Sequence, residues 1–432
     1  MSTVPVIAER PGNSSVSSGM NIPVITLAAV FALTSVRRVG RIRLQIWQIM
    51  LGGAVVVLAT GSISPPAALA AVNADVLLFL FGMFVVGQAM EESGYLAHLT
   101  YGVFRRARSM DAVTLTVLGG AGALSAVLMN DTLAVVGTPV MLLLARRHAI
   151  APTPLLLALA FGVTIGSAFS PIGNPQNLLI ALHGGIADPF GVFFVALFLP
   201  SAINAGIAFF LLKAIYREDF HDAPLTHSQE PIRDHELAGL ARMSLRIILA
   251  LVAVKIVTAW FGAGDFLRLT HIALAASLPV LAGSRRRWHI LRGIDWHTLV
   301  FFAAMFVLMA GVWDTGFFQD LLRRWDFDIR SPGAIIGGSI VLTQCISNVP
   351  LVALLLPALL HAGGGTPALM ALAAGSTIAG NLTILGAASN VIIIQGAERR
   401  RGGTITFLDF ARVGVPLTIA NGLVYWLFLK LF

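Results

Sequence analysis

The sequence predicts an all-α polytopic membrane protein of two inverted repeats, with about ten full spans and two re-entrant hairpins. Three observations support this fold class. Hydrophobic residues make up 57% of the chain and charged residues only 12%, whereas about a quarter of a soluble domain is charged. Long apolar segments recur along the whole sequence. Polar motifs recur at matching places in its two halves.

The apolar segments follow a polar tail, residues 1–21, and we interpret each of them as one membrane crossing. They cover residues 22–36, 46–62, 76–91, 153–180, 189–213, 244–262, 268–283, 297–313, 366–395 and 407–430. The hydrocarbon core of a bilayer is about 30 Å thick, which a helix of about 20 residues crosses. We therefore expect a multi-pass protein of the plasma or inner membrane.

Two further apolar stretches, 112–145 and 333–360, are each interrupted by a polar triplet. The first triplet is Asn130-Asp131-Thr132 and the second is Ser347-Asn348-Val349. The arms on either side, such as 133–145, are about 20 Å long at ~1.5 Å per residue, which is short for a full crossing. We therefore expect re-entrant hairpins with buried polar tips. The alternative, one ordinary helix at 112–145, would put the arginines at its two ends on opposite sides of the membrane.

Most arginines fall in loops that the span count puts on one side of the membrane. These loops are 37–43, 105–108, 146–147, 285–287, 399–401 and the polar linker 214–243. Cytoplasmic loops carry an excess of Lys and Arg, so we assign the linker and these loops to the cytoplasm. This spread of the formal net charge of +8 argues against a nucleic-acid-binding surface.

The two halves of the chain, 22–213 and 244–432, repeat one another in order. Residues 82–95 match 304–317, Asn130-Asp131 matches Ser347-Asn348, residues 170–177 match 383–390, and Pro200 and Gly206 match Pro416 and Gly422. The first half contains an odd number of full crossings, so the second half starts on the opposite side and the repeats are inverted. Inverted repeats that each contain a broken helix indicate a midplane site in a secondary transporter.

Helix breaks are predicted inside the segments 153–180 and 366–395. In the first segment, Pro171 and Pro175 lack amide donors and Gly173 allows an unwound turn. We expect the side chains of Asn174, Gln176 and Asn177 to replace the lost backbone partners. Exposed helix ends then offer N–H groups to anions or polar oxygens, and carbonyl groups to a cation. A simple Pro-Gly kink would not require a matching motif in the second half, so we favour a binding site.

Four motifs together resemble the ion transporter superfamily. They are N-D-T followed by Pro139, G-S-A-F-S-P-I-G-N-P-Q-N, S-N-V-P, and N-L-T-I-L-G-A-A-S-N. The superfamily includes ArsB-type arsenite permeases, divalent-anion/sodium symporters and NhaD-type antiporters. The resemblance implies a homodimer and an elevator mechanism, in which a transport domain of hairpins and broken helices slides against a scaffold. An arsenite permease would in addition imply a separate ATPase subunit.

The resemblance, carried over motif by motif, implies two groups of site residues. The substrate-binding group is Asn130, Thr132, Ser170, Asn174, Asn177, Ser347, Asn348, Thr383, Ser389 and Asn390, and the ion- or proton-coupling group is Asp131, Gly173 and Gly386. Asp131 is the leading coupling residue because an ionised aspartate near mid-membrane is costly without a partner. The alternative role of Asp131 is that of N-cap for a helix starting at Thr132.

The substrate is expected to be a neutral hydroxylated solute. No Lys or Arg lies in either tip or either break, so a multivalent anion would depend on helix ends alone and would be opposed by Asp131. Arsenous acid meets no such penalty. We therefore expect efflux of arsenite or antimonite in exchange for protons, with no cofactor beyond the coupling ion, H⁺ or Na⁺, and no metal site.

Alternative functions stay open at this point. The first is coupled transport of an inorganic or di/tricarboxylate anion, and a channel is a more distant one. An enzyme is not expected, because the chain has no H-E-x-x-H, G-x-S-x-G or P-loop motif. Cys345, beside the second tip, is either an apolar filler or a contact for a thiophilic metalloid. Lys255, in the segment 244–262, either pairs with an intramembrane acid or lines an interface.

Overall fold

The computed structural model describes residues 22–36, 38–39, 42–43, 45–95, 98, 109–148, 150–220, 232–260, 267–317, 320, 329–399 and 405–432. Within these ranges the regular secondary structure is helical except for one antiparallel pair of two-residue strands, β1 Arg38–Val39 and β2 Ile42–Arg43. The predicted all-α class is therefore confirmed.

Helices of the two halves follow one another in a similar order. The first half contains α1 Ile22–Val36, α2 Ile46–Ala59, α3 Pro65–Ala71, α4 Ala74–Glu92, α5 Met110–Leu128, α6 Asn130–His148, α7 Pro152–Ala168, α8 Pro175–His183 and α9 Pro189–Ile215. The second half contains α10 His235–Trp260, α11 Leu269–Gly283, α12 Arg287–Gly293, α13 Trp296–Trp313, α14 Pro332–Ile346, α15 Asn348–His361, α16 Thr366–Ile378, α17 Ala388–Arg399 and α18 Phe407–Leu431. A short helix, α3 or α12, precedes the long α4 or α13 in each half.

Six helices of the described residues are long and apolar enough to cross a membrane, and they are α4, α5, α9, α10, α13 and α18. Shorter apolar helices occur within α2, α7, α11 and α15. The chain is thus a polytopic membrane protein, while the total of about ten crossings stays a prediction from the apolar segments.

The arms of the first hairpin are longer than the sequence pattern suggests. Helices α5 and α6 have 19 residues each, about 28 Å at 1.5 Å per residue. The first arm starts early because the Ser109 side chain accepts a hydrogen bond from the Ala112 amide, and a π-helical turn at Val117–Ala121 extends it. The second arm continues through Pro139 as far as His148.

Side-chain caps start several of the long helices. Asn73 accepts a hydrogen bond from the Val76 amide at the start of α4 (3.0 Å). Asp188 caps α9, Asp295 caps α13, and Thr406 caps α18 in the same way. Such caps satisfy amide donors that the first turn of a helix leaves free.

The helices pack in two groups, the flanking group (α1–α4 and α10–α13) and the hairpin group (α5–α9 and α14–α18). In the flanking group α4 packs against α10 and α11, and α13 packs against α1 and α2. In the hairpin group α7 packs against α5, α6 and α9, while α16 packs against α14, α15 and α18. Helices α7 and α16 also contact each other, and α9 packs against α18. Contacts in one half therefore have counterparts in the other.

Polar contacts at helix ends join loops that the charge pattern assigns to the same side. Asp75 forms an ion pair with Arg268 on the side predicted to be external (3.6 Å). Asp234 pairs with Arg286 on the predicted cytoplasmic side (3.6 Å), where Lys213 also contacts Asp111. The fold is thus compatible with the predicted crossing order.

Candidate functional site

Both hairpins turn at a single residue with a left-handed backbone. Met129 and Ser347 each have φ of 70°, and the helices α6 and α15 start at the next residues, Asn130 and Asn348. The repeat alignment paired Asn130 with Ser347, and this pairing is shifted by one residue relative to the backbone of the two tips. The two tips match by backbone conformation, and Asn130 corresponds to Asn348. A non-glycine residue with positive φ carries strain, which functional sites often contain.

The N-cap role considered for Asp131 is wrong, because α6 starts one residue before it. Asp131 lies in the first turn, where its negative charge interacts favourably with the helix dipole. Its carboxylate is half-buried and has no hydrogen-bond or ion-pair partner among the described residues. A proton or a cation bound at Asp131 would neutralise a charge that is costly within a membrane.

The first break covers residues 169–174, between α7 and α8. Asn177, on α8, closes it by donating through Nδ2 to the carbonyl oxygens of Ser167 (3.1 Å), Ala168 (3.0 Å) and Ser170 (3.0 Å). The Ser167 and Ser170 carbonyls also accept from the Ser170 and Gly173 amides (3.3 and 3.4 Å), so the two N–H donors of one fully buried side chain supplement the weakened backbone bonding of the break. Oδ1 of Asn174 caps α8 by accepting a hydrogen bond from the backbone amide of Asn177 (2.9 Å).

Gly173 joins the first break to the first tip. Its carbonyl oxygen accepts a hydrogen bond from the Asn130 amide (2.9 Å). A Cβ atom at Gly173 would lie 2.5 Å from the carbonyl oxygen of Ser167, so only glycine fits here. The tip of the hairpin is therefore fixed to the unwound backbone of the broken helix.

The second break, residues 379–387 between α16 and α17, has a similar construction. Asn390 donates through Nδ2 to the carbonyl oxygens of Gly380 (2.7 Å) and Thr383 (3.3 Å). A Cβ atom at Gly386 would lie 2.7 Å from the carbonyl oxygen of Ala379. Asn390 and Gly386 thus hold the second break as Asn177 and Gly173 hold the first.

Hydroxyl groups in the two breaks donate to the neighbouring hairpin. Ser170 donates to the carbonyl oxygen of Ala126. Thr383 donates to Oε1 of Gln344 on α14 (2.8 Å), and Nε2 of Gln344 donates to the Ala379 carbonyl (2.9 Å). The Ser170 oxygen also accepts from the Ile172 amide (3.3 Å). With its proton committed, each hydroxyl oxygen has only its remaining lone pairs to offer to a ligand.

The hairpin group contains two polar residues that the sequence interpretation missed, Gln344 and Thr377. Thr377 on α16 accepts from Nδ2 of Asn174 (3.2 Å) and donates to Oδ1 of Asn177 (3.4 Å). It thereby connects the first break to a helix of the second half. A polar side chain within an apolar run was the available signal for both residues, and Gln344 lies only three positions before the second tip.

The remaining predicted site residues differ in how their polar atoms are used. Ser347 contacts Oδ1 of Asn348 (3.3 Å). Thr132 is half-buried and its methyl group would lie 3.1 Å from a Cβ atom at Gly87 of α4. The hydroxyl of Ser389 and Oδ1 of Asn390 are buried without a partner among the described residues. The second break therefore keeps more unused polar atoms than the first.

Two residues noted for their chemistry lie elsewhere or outside the description. Lys255 is 6% exposed, and its ammonium donates to the Leu267 carbonyl (2.8 Å), so it joins α10 to the loop before α11. Cys345 belongs to α14, but its side chain is outside the described residues and its predicted role stays a prediction. Among the described residues, no three His, Cys, Asp or Glu side chains lie close enough to hold a metal ion.

A family described as citrate transporter matches residues 28–366 of this chain. The chain belongs to the citrate transporter family. The predicted resemblance to the ion transporter superfamily is thereby confirmed, and the chain is a multi-pass membrane transporter.

Several proteins with similar sequences are described as transporters, and their descriptions differ. An uncharacterised transporter of Mycobacterium tuberculosis is 28% identical over 370 residues, which cover 80% of this chain and 83% of the relative. The silicon efflux transporter LSI3 of Oryza sativa subsp. japonica is 26% identical over 434 residues, covering 85% and 88%. The P protein of Sus scrofa is 25% identical over 512 residues, covering 97% and 60%.

Solved structures support the fold of this family member. The YdaH transporter of Alcanivorax borkumensis superposes with a TM-score of 0.57 at 16% identity, over 95% of this chain and 96% of that one. MtrF of Neisseria gonorrhoeae, from a class of antimetabolite efflux pumps, gives 0.53 at 13% identity, over 95% and 94%. These similarities support a common architecture and leave the substrate open.

Proposed function

We propose that the chain exports a small neutral hydroxylated solute, with arsenous or antimonous acid as the best candidates, in exchange for protons that bind at Asp131. The observation that carries this proposal is the direction of the hydroxyl hydrogen bonds. Ser170 and Thr383 both give their protons to the hairpins. A ligand at the breaks therefore meets acceptor oxygens, which suit a solute that brings its own O–H donors.

Three side-chain amides that could bind an anion at the breaks already have acceptors. The amide groups of Asn174, Asn177 and Asn390 donate to the breaks themselves or to Thr377. The tips and breaks contain no Lys or Arg, and Asp131 adds a negative charge. Burying a carboxylate without paired donors is costly, so the described conformation favours an uncharged solute over citrate.

Relatives support the same class of solute. The rice protein among them is a silicon efflux transporter. Silicon and trivalent arsenic both occur in neutral water as uncharged hydroxylated acids. A site lined by acceptor oxygens would suit either of them, so silicic acid extends the candidate list beyond arsenite and antimonite.

Citrate, or another di- or tricarboxylate, is the second candidate substrate. The description of the matching family as citrate transporter favours it. An anion would rely on free amide groups at helix starts, such as those following the tips, and would bind best with Asp131 neutralised by a proton or a sodium ion.

We propose further that the chain is an inverted repeat working as an elevator. The paired contacts of the two breaks support the repeat, since Asn177 and Asn390 hold corresponding carbonyls. The buried faces of α9 and α18 match with a shift of 217 residues, which pairs Asn204 with Asn421. The sequence alignment, which paired Pro200 with Pro416, is one residue out. A homodimer, a cytoplasmic linker 214–243 and an ATPase partner remain proposals from the resemblance.

The test is arsenite accumulation in metalloid-sensitive cells that carry the wild type, Asp131→Asn or no transporter. Asp409→Asn, on the exposed first turn of α18, is a matched control for loss of a carboxylate. We expect lower accumulation with the wild type and Asp409→Asn, and accumulation at the empty-membrane level with Asp131→Asn. Equal accumulation in all strains at matched expression would reject arsenite, and citrate uptake by the same cells would then favour the carboxylate.

A further inference from the structure

Helices α9 and α18 pack antiparallel and present polar faces to each other. At one end, the Ser201 hydroxyl and the Tyr425 hydroxyl lie 2.6 Å apart. At the other end, Asp409 and Arg412 lie close enough to act on the Tyr216 hydroxyl. The first pair joins the middle of α9 to the end of α18, and the second joins the end of α9 to the start of α18.

This register sets buried polar residues opposite one another. One turn from the Ser201–Tyr425 pair, Asn204 comes to lie opposite Asn421. Both are 0% exposed. A further turn along, Thr418 comes to lie opposite Ala208. Ser201 thus has a tyrosine hydroxyl as its partner, whereas the Thr418 hydroxyl has no partner among the described residues.

The amides and the threonine hydroxyl of this contact are unsatisfied. Both polar atoms of Asn204, both of Asn421 and the hydroxyl of Thr418 are buried without a hydrogen-bond partner among the described residues. Asn204 does face the Tyr425 hydroxyl, but without a bond of normal geometry. Buried polar groups are nearly always paired, so an unpaired cluster indicates an occupant that protein atoms do not supply.

The unsatisfied atoms continue as far as the second break. Gly414, one turn before Thr418 on the same face of α18, packs against Asn381, since a Cβ atom there would lie 2.3 Å from the Asn381 carbonyl oxygen. Both amide atoms of Asn381 are buried and unpartnered as well. We name this set the polar seam, and its members are Ser201, Asn204, Asn381, Thr418, Asn421 and Tyr425.

We propose that the polar seam binds a file of water molecules that runs between α9 and α18 and reaches the second break. Water fits because it donates and accepts, and the seam offers amide donors, carbonyl acceptors and hydroxyls together. The seam has no charged side chain to balance the charge of a bound cation. An uncharged occupant therefore satisfies the seam better than a metal ion.

The role of the file rests on the proposed proton coupling. A water chain passes a proton when each molecule accepts one from its neighbour and donates one to the next, so no charge is left behind. The amides orient the waters and are not themselves protonated. Protons entering near Tyr425 would thus reach the second break without passing through the solute.

Pulsed X-ray radiolysis tests the water file directly, because hydroxyl radicals formed from bound water label adjacent side chains. Tyr425 and Phe410 are both aromatic residues of α18 and are 0% and 1% exposed, but only Tyr425 lies on the seam. We expect severalfold faster labelling of Tyr425 in the wild-type protein in detergent. Equal, slow labelling of the two rings would overturn the proposal, and no variant is needed for this comparison.

A second measurement separates water from a cation and from the transport proposal. We expect the melting temperature of the wild type to be the same in sodium, potassium and choline chloride, and Asn204→Leu/Asn421→Leu to slow the labelling of Tyr425. A sodium-specific stabilisation that this double variant loses would reject water in favour of an ion. Neither readout depends on the solute, so failure of arsenite transport leaves both interpretable.

Discussion

Replacing Asn177 with leucine tests how the first break is held. The two N–H groups of its side chain are shared among three carbonyl oxygens of the break at 3.0 to 3.1 Å, its Oδ1 accepts from Thr377 (3.4 Å), and it is fully buried. A net hydrogen bond contributes about 1 kcal/mol. Asn177→Leu keeps the number of side-chain heavy atoms and removes two donors and one acceptor, so we expect a loss of about 3 kcal/mol in the free energy of unfolding.

The matched variants form a graded series. Asn390→Leu removes two such bonds and should cost about 2 kcal/mol, while Asn421→Leu removes no direct protein bond and should cost least. Unfolding of the purified proteins in mixed micelles, followed by circular dichroism, measures the order. Equal losses for the three variants would refute the idea that Asn177 and Asn390 act as clamps of the breaks.

Further predictions concern movement and solute recognition. Gly87→Val should slow transport severalfold with little change in KM, because its side chain would meet Thr132 at 3.1 Å and obstruct sliding of the first tip on α4. Gly206→Val, at a position where a Cβ atom would have nothing within 4 Å, is the control in the same flux assay. Equal slowing by both variants would contradict the steric reason. Gln344→Leu should raise KM for arsenite by about tenfold. It removes the acceptor that orients the Thr383 hydroxyl and the donors to the Ile340 and Ala379 carbonyls, and one lost hydrogen bond to the solute is worth about 1.4 kcal/mol. An unchanged KM, measured in vesicles, would separate Gln344 from the solute site.

Much of the fold was predictable from local chemistry. Proline and glycine within an apolar run, as at Pro171 and Gly173, stop a helix because the backbone loses donors and gains freedom. The chain does leave the helix at these residues and starts again at Pro175. Polar triplets in apolar stretches likewise marked both hairpin tips.

The hydrogen-bond partners of the side chains could not be predicted from the sequence. Asn177 was expected to replace lost backbone partners, but nothing local tells which carbonyls it takes. The turn residue Met129 was missed because methionine is rare at positive φ, and that omission shifted the alignment of the tips by one position. Thr377 became visible only when folding brought the two halves together.

Flux through the purified protein in liposomes tests the central claim most directly. Vesicles with an imposed pH gradient would be given arsenite or citrate, with wild type and Asp131→Asn compared at equal protein content. The account predicts gradient-driven arsenite movement with the wild type, none with Asp131→Asn, and no citrate movement with either. Gradient-driven citrate movement without arsenite movement would contradict it.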